Sequence, residues 1–372
     1  MPDVAGLDTP SVTHVGAIPS PTSRAARERP IHWIDNLTPE MTPAWYPVAS
    51  STEVGDEEPL AVELFGTWWV LARLGGELVA FVDECPHRLL PLSGGNICGD
   101  PLQCAYHGWT FDATGDCTLV PSAGPNATIP SKAHLRRPAG LQERYGLIWL
   151  APETPVCDLI DIADFEDDSF EVRHDTPVRT PASAGQCLDN FVDTSHFLMG
   201  HAGTFGGDET AMTQPDTVTR DGWLLTAEYL TPYKVLDDPG TRAGQVEELQ
   251  ISRHTKSFCP GALAVLRMEF PATDSVFSIL IAIQPESRDS SRLYRIWARN
   301  DIVGDEERWA EHMANEAAVL EEDLGAFAKF RDHHISLDLR REVHVAADKL
   351  SVAYRRVLAD LYEHGAALLA GR

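Results

Sequence analysis

Cys85-Pro86-His87 and Cys104-Ala105-Tyr106-His107-Gly108-Trp109 decide how the rest of the chain is read. Each stretch supplies one thiolate and one imidazole, beside a Pro or a Gly that suits a tight loop. Thiolates suit iron–sulfur clusters and zinc, imidazoles suit zinc and iron, and two of each make four ligands. A structural Cys2His2 zinc site competes for the same residues. Zinc fingers, however, usually pair like with like, two Cys and then two His. Mixed pairs fit a [2Fe–2S] centre in which two His replace two Cys on one iron. The expected cluster-binding set is therefore Cys85, His87, Cys104 and His107.

A second stretch runs Asp189-Asn190-Phe191-Val192-Asp193-Thr194-Ser195-His196-Phe197-Leu198-Met199-Gly200-His201. Asn190, Asp193 and His196 recur every three residues, so one helix would place them on one face. His201 follows a Gly, so the helix should end or distort before it. Two His and a nearby carboxylate are the makings of a 2-His-1-carboxylate iron(II) site with open positions for O2. The plainer reading is a polar helix face with two ordinary histidines.

Together the two stretches resemble the Rieske non-heme iron oxygenases, the ring-hydroxylating and O- or N-demethylating enzymes. Respiratory Rieske proteins clamp their cluster loops with a disulfide. Leu90 and Tyr106 stand at those positions here, so the resemblance is to the oxygenase type, over about residues 40–365. It implies an α+β chain: a small antiparallel β Rieske domain, then a helix-grip (START-like) catalytic domain with an antiparallel sheet and a long C-terminal helix. The division expected is a mobile N-terminal tail over 1–29, a Rieske domain over 43–151, and a catalytic domain from 30–42 and 152–372. The resemblance implies that Asn190 lies near the iron as a hydrogen-bonding or weakly liganding group. It also implies that Asp193 bridges His107 of one subunit to His196 of its neighbour, and that a third iron ligand comes from the long C-terminal helix.

That helix, expected over about 306–331, offers Glu321, Glu322 and Asp323. Asp323 lies one turn from Val319, Leu320 and Phe327 and two from Phe330, on the apolar stripe. Glu322 lies among Asn315, Ala318 and Lys329, on a more solvated side. An inward carboxylate is costly unless paired or metal-bound. The metal set chosen is His196, His201 and Asp323, with Glu322 the open alternative. A further helix is expected over 342–369. Val276–Ile281 reads as a strand with alternate residues facing a substrate cavity. His254, Gln250 and Arg267 are candidate polar groups for the substrate, and the Gly-rich stretches 203–207 and 239–244 a candidate entrance.

The chain has 372 residues, enough for two domains, with 43% hydrophobic and 23% charged residues, ordinary for a globular protein. A net charge of −26 argues against nucleic acid or anionic membrane as a partner. No stretch approaches the roughly 18 apolar residues of a membrane span. Seven cysteines without a framework spacing suit a reducing, cytoplasmic setting. There is no flavin- or nicotinamide-binding fingerprint. Electrons are therefore expected from a separate NAD(P)H-dependent reductase or a ferredoxin, docking near Arg88, Lys132, Arg136 and Arg137. The resemblance implies a homotrimeric terminal oxygenase that hydroxylates or demethylates a small organic molecule, its compact length resembling that of vanillate- and dicamba-type demethylases. A cis-dihydroxylating dioxygenase is the alternative within enzymes. A Rieske electron carrier without oxygenase activity is the alternative outside them.

Overall fold

The computed structural model describes residues 33–124, 126, 128–204, 217–234, 243–244 and 249–371. The expected tail over 1–29 and most of the stretches 203–207 and 239–244 lie outside the described residues, as does the side chain of Gln250.

Three hairpins in the first half turn on the same local signal. Phe65-Gly66, Gly75-Gly76 and Tyr145-Gly146 each place two consecutive residues at positive φ, as a type I′ turn demands. The first two join strands Leu60–Leu64, Thr67–Leu74 and Glu77–Val82 into an antiparallel meander. The third joins 140–144 to 147–151, which also pairs with Tyr46–Ser50. Four short strands, 96–97, 102–103, 110–111 and 117–119, make a separate antiparallel sheet. Val70, Phe81, Leu92, Leu102, Phe111 and Leu135 are packed into one core with Cys85 and Cys104.

The second half is built on an eight-stranded antiparallel sheet. Its strands are β1 (Glu171–His174), β2 (Val178–Thr180), β3 (Thr217–Asp221), β4 (Leu224–Lys234), β5 (Leu249–Cys259), β6 (Leu263–Phe270), β7 (Ser275–Ser287) and β8 (Ser290–Arg299). The order is β1-β8-β7-β6-β5-β4-β3, with β2 also on β8. Register aligns side chains into ribs: Tyr229, His254, Met268, Phe277 and Arg299 form one, and Ala227, Lys256, Leu266, Ile279 and Trp297 the next.

Both faces of this sheet are covered, which is why β6 and β7 read as nearly continuous apolar runs. On one face Leu263, Val265, Leu280, Ala282, Tyr294 and Ile296 pack with Leu147, Trp149, Leu159 and Ile162. The other face meets the helices α1 (Ala184–Val192), α2 (Phe197–Gly200), α3 (Glu306–Phe327) and α4 (Lys349–Ala370). Trp309 and Met313 of α3 pack on Leu266, Phe277, Ile279 and Trp297. Tyr354, Val357, Leu358 and Leu361 of α4 share a core with Leu225, Ala227 and Phe258.

Two helix boundaries differ from the sequence expectation. α3 stops at Phe327 rather than 331, and α4 starts at Lys349 rather than near 342. The Asp348 carboxylate accepts from the Val345 amide at 2.7 Å, a side-chain-to-backbone bond that holds the preceding turn out of the helix.

Candidate active site

The two cluster loops close in the same way. The Cys85 amide donates to the Leu90 carbonyl at 2.9 Å and the Leu89 amide to the Cys85 carbonyl at 2.8 Å. The Cys104 amide donates to the Trp109 carbonyl at 2.9 Å and the Gly108 amide to the Cys104 carbonyl at 3.0 Å. The fifth residue of each loop is left-handed, Leu89 at φ 59° and Gly108 at φ 69°. A leucine there is strained, so the loop is held by its surroundings. Cys85 and Cys104 are buried, and burial, with Cys104 beside it, pushes the Cys85 thiol up. The rings of His87 and His107 lie 4.5 Å apart, and His87 stacks on Trp109 at 4.6 Å. His87 Nδ1 is buried with no hydrogen-bonding partner among the described residues. Two neighbouring thiols and an orphaned imidazole nitrogen fit a cluster that takes S and N ligands. Leu89 and Tyr106 flank the loops at 65% and 63% exposure.

The second site breaks the helix that the i, i+3 spacing suggested. α1 starts on a capping box, in which Ser183 Oγ accepts from the Gln186 amide and Gln186 Oε1 from the Ser183 amide. It ends at Val192, and Asp193 is extended at φ −76°, ψ 120°. The cause is local. Asp193 Oδ1 accepts from the Ser195 amide at 2.7 Å, a turn that competes with helix. α2 then places His196 at its start and His201 at its end.

The break brings both imidazoles to Asp323. His196 Nε2 and His201 Nε2 are 3.1 Å apart, and Asp323 Oδ1 lies 3.7 and 3.5 Å from them. Ligands about 2.1 Å from a metal at right angles lie about 3 Å apart, so the three atoms fit one ion. Asn190 Nδ2 donates to Asp323 Oδ1 at 3.2 Å, orienting that carboxylate. Burial raises the Asp323 pKa against the lowering field of the two His. A cation held there would reverse the balance.

Glu322 takes a place that its helical position concealed. Its carboxylate accepts from His201 Nδ1 at 3.0 Å, the Gly203 amide at 3.0 Å and Thr204 Oγ1 at 2.8 Å. It lies off the point that His196, His201 and Asp323 share and fixes which nitrogen of His201 faces that point. Burial opposes ionisation of Glu322, yet these bonds hold its carboxyl below the usual range. Asp193 behaves alike: burial opposes ionisation, while His196 and the Ser195 amide keep the carboxyl low. Asp193 Oδ2 lies 3.7 Å from His196 Nδ1.

Two cavities meet at this cluster, and Asn190, His196 and Asp323 line both. The sheet side encloses about 120 Å³ among Phe191, Leu266, Met268, Leu320 and Phe327. The odd residues Phe277, Ile279, Ile281 and Ile283 of β7 face it, as alternation required. The other cavity, about 610 Å³, is a groove of mixed lining past Asp193 to Phe330, Glu342, Val343 and Arg355. Arg355 pairs with Asp189 at 2.7 Å and Glu342 at 2.6 Å, bracing α1 against α4.

The candidate polar groups for substrate divide. His254 lines the pocket, its Nε2 2.8 Å from Ser252 Oγ and its Nδ1 3.3 Å from the Tyr229 hydroxyl. Burial takes its pKa down to about 3, so it stands there neutral. Arg267 is not among the lining residues. It points from the opposite face of β6 to Asp164 at 2.8 Å and Glu269 at 2.7 Å. Arg295, missed in the sequence, does line the pocket. It is held by Asp175 and by the Glu316 carbonyl.

Comparison with known proteins agrees with this geometry. Residues 44–132 match the Rieske [2Fe-2S] domain and residues 180–364 the vanillate O-demethylase oxygenase C-terminal domain. The chain is 32% identical to methylxanthine N1-demethylase NdmA of Pseudomonas putida, over 86% of this chain and 88% of that protein. It is 28% identical to methylxanthine N3-demethylase NdmB of the same organism, over 84% and 87%. The solved structure of Pseudomonas putida NdmA with caffeine superposes with a TM-score of 0.75 at 29% identity, covering 88% of this chain and 93% of that one. Dicamba monooxygenase bound to dicamba shares the fold, at a TM-score of 0.74 and 21% identity, over 88% and 99%.

Proposed function

The chain belongs to the Rieske non-heme iron oxygenases, terminal components that use reductase-delivered electrons and O2, and from that premise we propose N-demethylation of a neutral, methyl-bearing heterocycle as its reaction. The observation that carries this is the pocket. It is walled by aliphatic and aromatic side chains, ends at His196, His201 and Asp323, and offers a neutral His254 and an Arg295 already satisfied by Asp175. Such walls favour a flat uncharged molecule. The methylxanthine demethylases are named for substrates of that character.

In this reading Cys85, His87, Cys104 and His107 hold the [2Fe–2S] cluster, and His196, His201 and Asp323 hold the iron. When bound, the cluster supplies single electrons and the iron supplies O2 activation at its open positions. Glu322 and Asn190 orient two of the three ligands. His254, held by Ser252 and Tyr229, keeps an uncharged ring in the wall, and the apolar wall excludes water. Of the stretch 30–42, the described residues 33–42 belong with the catalytic part, as the pairing of Trp33–Ile34 with Ile335–Ser336 supports.

The finer partner reading is a homotrimer, closed head to tail. The groove past Asp193 takes the exposed loop tip of the next copy, with Leu89 and Tyr106 entering it and His107 meeting Asp193. A reductase or ferredoxin reaches the same loops from the side of Arg88, Lys132, Arg136 and Arg137, all exposed. A cytoplasmic setting agrees with seven free thiols. Among the described residues no helix is long and apolar enough to cross a membrane.

Turnover under 18O2 with an N-methylated purine or related heterocycle tests the reaction. Formaldehyde released in step with the demethylated product is the expected outcome. A cis-diol carrying two labelled oxygens contradicts it.

A further inference from the structure

Lys256 stands on the pocket-facing side of β5, in the row Ser252, His254, Lys256, Phe258, and is 0% exposed. No carboxylate forms an ion pair with it among the described residues. A buried ammonium without a counter-ion is costly, and burial drives its pKa down to about 7 against the opposing field of Asp193. What it has instead is backbone and rings. Its Nζ donates to the Phe191 carbonyl at 2.8 Å, near the C-terminal end of α1, where the helix dipole is negative. The same Nζ lies 5.3 Å from the centre of the Phe191 ring and 5.6 Å from that of Phe197, within cation–π range. Phe191 belongs to α1 and Phe197 opens α2. Between them lies the break that carries Asp193 and His196.

We propose that Lys256 is a positioning residue, which ties α1 and α2 to the rigid sheet across this break and so sets His196 and Asp193 for the iron. The inference rests on the reading of His196, His201 and Asp323 as iron ligands. It explains why a lysine occupies a place where methionine would cost folding less. Replacing a buried charge by an apolar residue of similar length is often neutral or stabilising. A purely structural lysine would show its loss in stability. A positioning lysine shows it at the metal.

The test uses full-length protein with cluster and Fe(II) loaded, and reads iron release to a ferrous chelator beside the visible spectrum and the melting temperature. Lys256→Met is expected to keep the cluster spectrum and a melting temperature at or above that of the wild type. It should lose mononuclear iron about tenfold faster, in the range of other ligand-orienting residues. Lys256→Gln, which retains a donor for the Phe191 carbonyl, should fall between. Wild-type iron release from Lys256→Met overturns the proposal. So does a variant that fails to fold or melts well below the wild type, which makes the lysine structural. His201→Ala in the same assay separates the two readings: iron retained there overturns the ligand assignment itself.

Discussion

Cys85–Leu90 and Cys104–Trp109 each carry their own closure, two backbone hydrogen bonds within six residues of chain. His196, His201 and Asp323 meet only because α3 brings Asp323 to a break between two helices more than a hundred residues earlier. The first site is a pair of local loops presented at the surface. The second is a tertiary junction, supported from the sheet by Lys256, from α3 by Glu322 and from α4 by Arg355 bonded to Asp189. The difference teaches where each site is vulnerable. The loops should fail by losing a ligand, and the junction should also fail by losing a support that never touches metal.

Cutting a ligand from either site should give the largest effects and should separate the sites. Cys104→Ser is expected to abolish the cluster spectrum, and His201→Ala to abolish mononuclear iron while leaving that spectrum intact. Each should lower turnover by roughly 10³-fold or more, read by metal and sulfide content together with product formation. Loss of the cluster in His201→Ala would break the contrast.

Removing the link between sites should cost less. Asp193→Ala should keep both metals and reoxidise its reduced cluster about 10- to 100-fold more slowly with substrate and O2 present, measured by stopped-flow absorbance. A normal rate would remove Asp193 from the account. A support at the junction should matter less again. Glu322→Gln keeps an acceptor but loses the charge, and should weaken Fe(II) binding about tenfold in a chelator competition. Unchanged affinity would make the bond to His201 incidental.

The effect at the pocket wall is read in stability rather than in turnover. His254 has a folded pKa of about 3 against an ordinary value of 6.5. Its contribution to stability is therefore complete above pH 6.5 and lost as pH falls from 6.5 toward 3. Replacing it by Gln should flatten the fall in unfolding free energy over that window by the slope of one proton. Identical slopes in urea titrations would mean that His254 is protonated in place.

The contrast between the sites also governs what could be read in the sequence. The cluster loops were legible because ligands, turn residues and closure all lie within a few positions. The sheet was legible in part: alternation let only every other residue of Val276–Ile281 face the cavity, and the structure shows that these are Phe277, Ile279 and Ile281. The same alternation excludes Arg267, which must point away if Leu266 and Met268 point in. The helix break was not legible from spacing, since three-residue recurrence is helical until Asp193 captures the Ser195 amide. The bonds of Glu322 were not legible because its helical neighbours are polar, while the turn at 201–204 that covers it comes from elsewhere in the chain. Lys256 and Arg295 escaped for a related reason. Charged residues on strands belong by default to the wet face, and only the tertiary partners, a helix end for one and Asp175 for the other, let them stay inside.

The most direct test of the central claim, that one chain's loops serve the next chain's junction, mixes two inactive variants. Cys104→Ser keeps the iron site and His201→Ala keeps the cluster, so neither should turn over alone. Co-expressed in equal amounts and assembled at random, they should recover about a quarter of wild-type turnover, the chance that an intact iron site faces a neighbour with an intact cluster. If the mixed assemblies remain as inactive as either parent, each chain works within itself, and the groove past Asp193 is not where the electrons arrive.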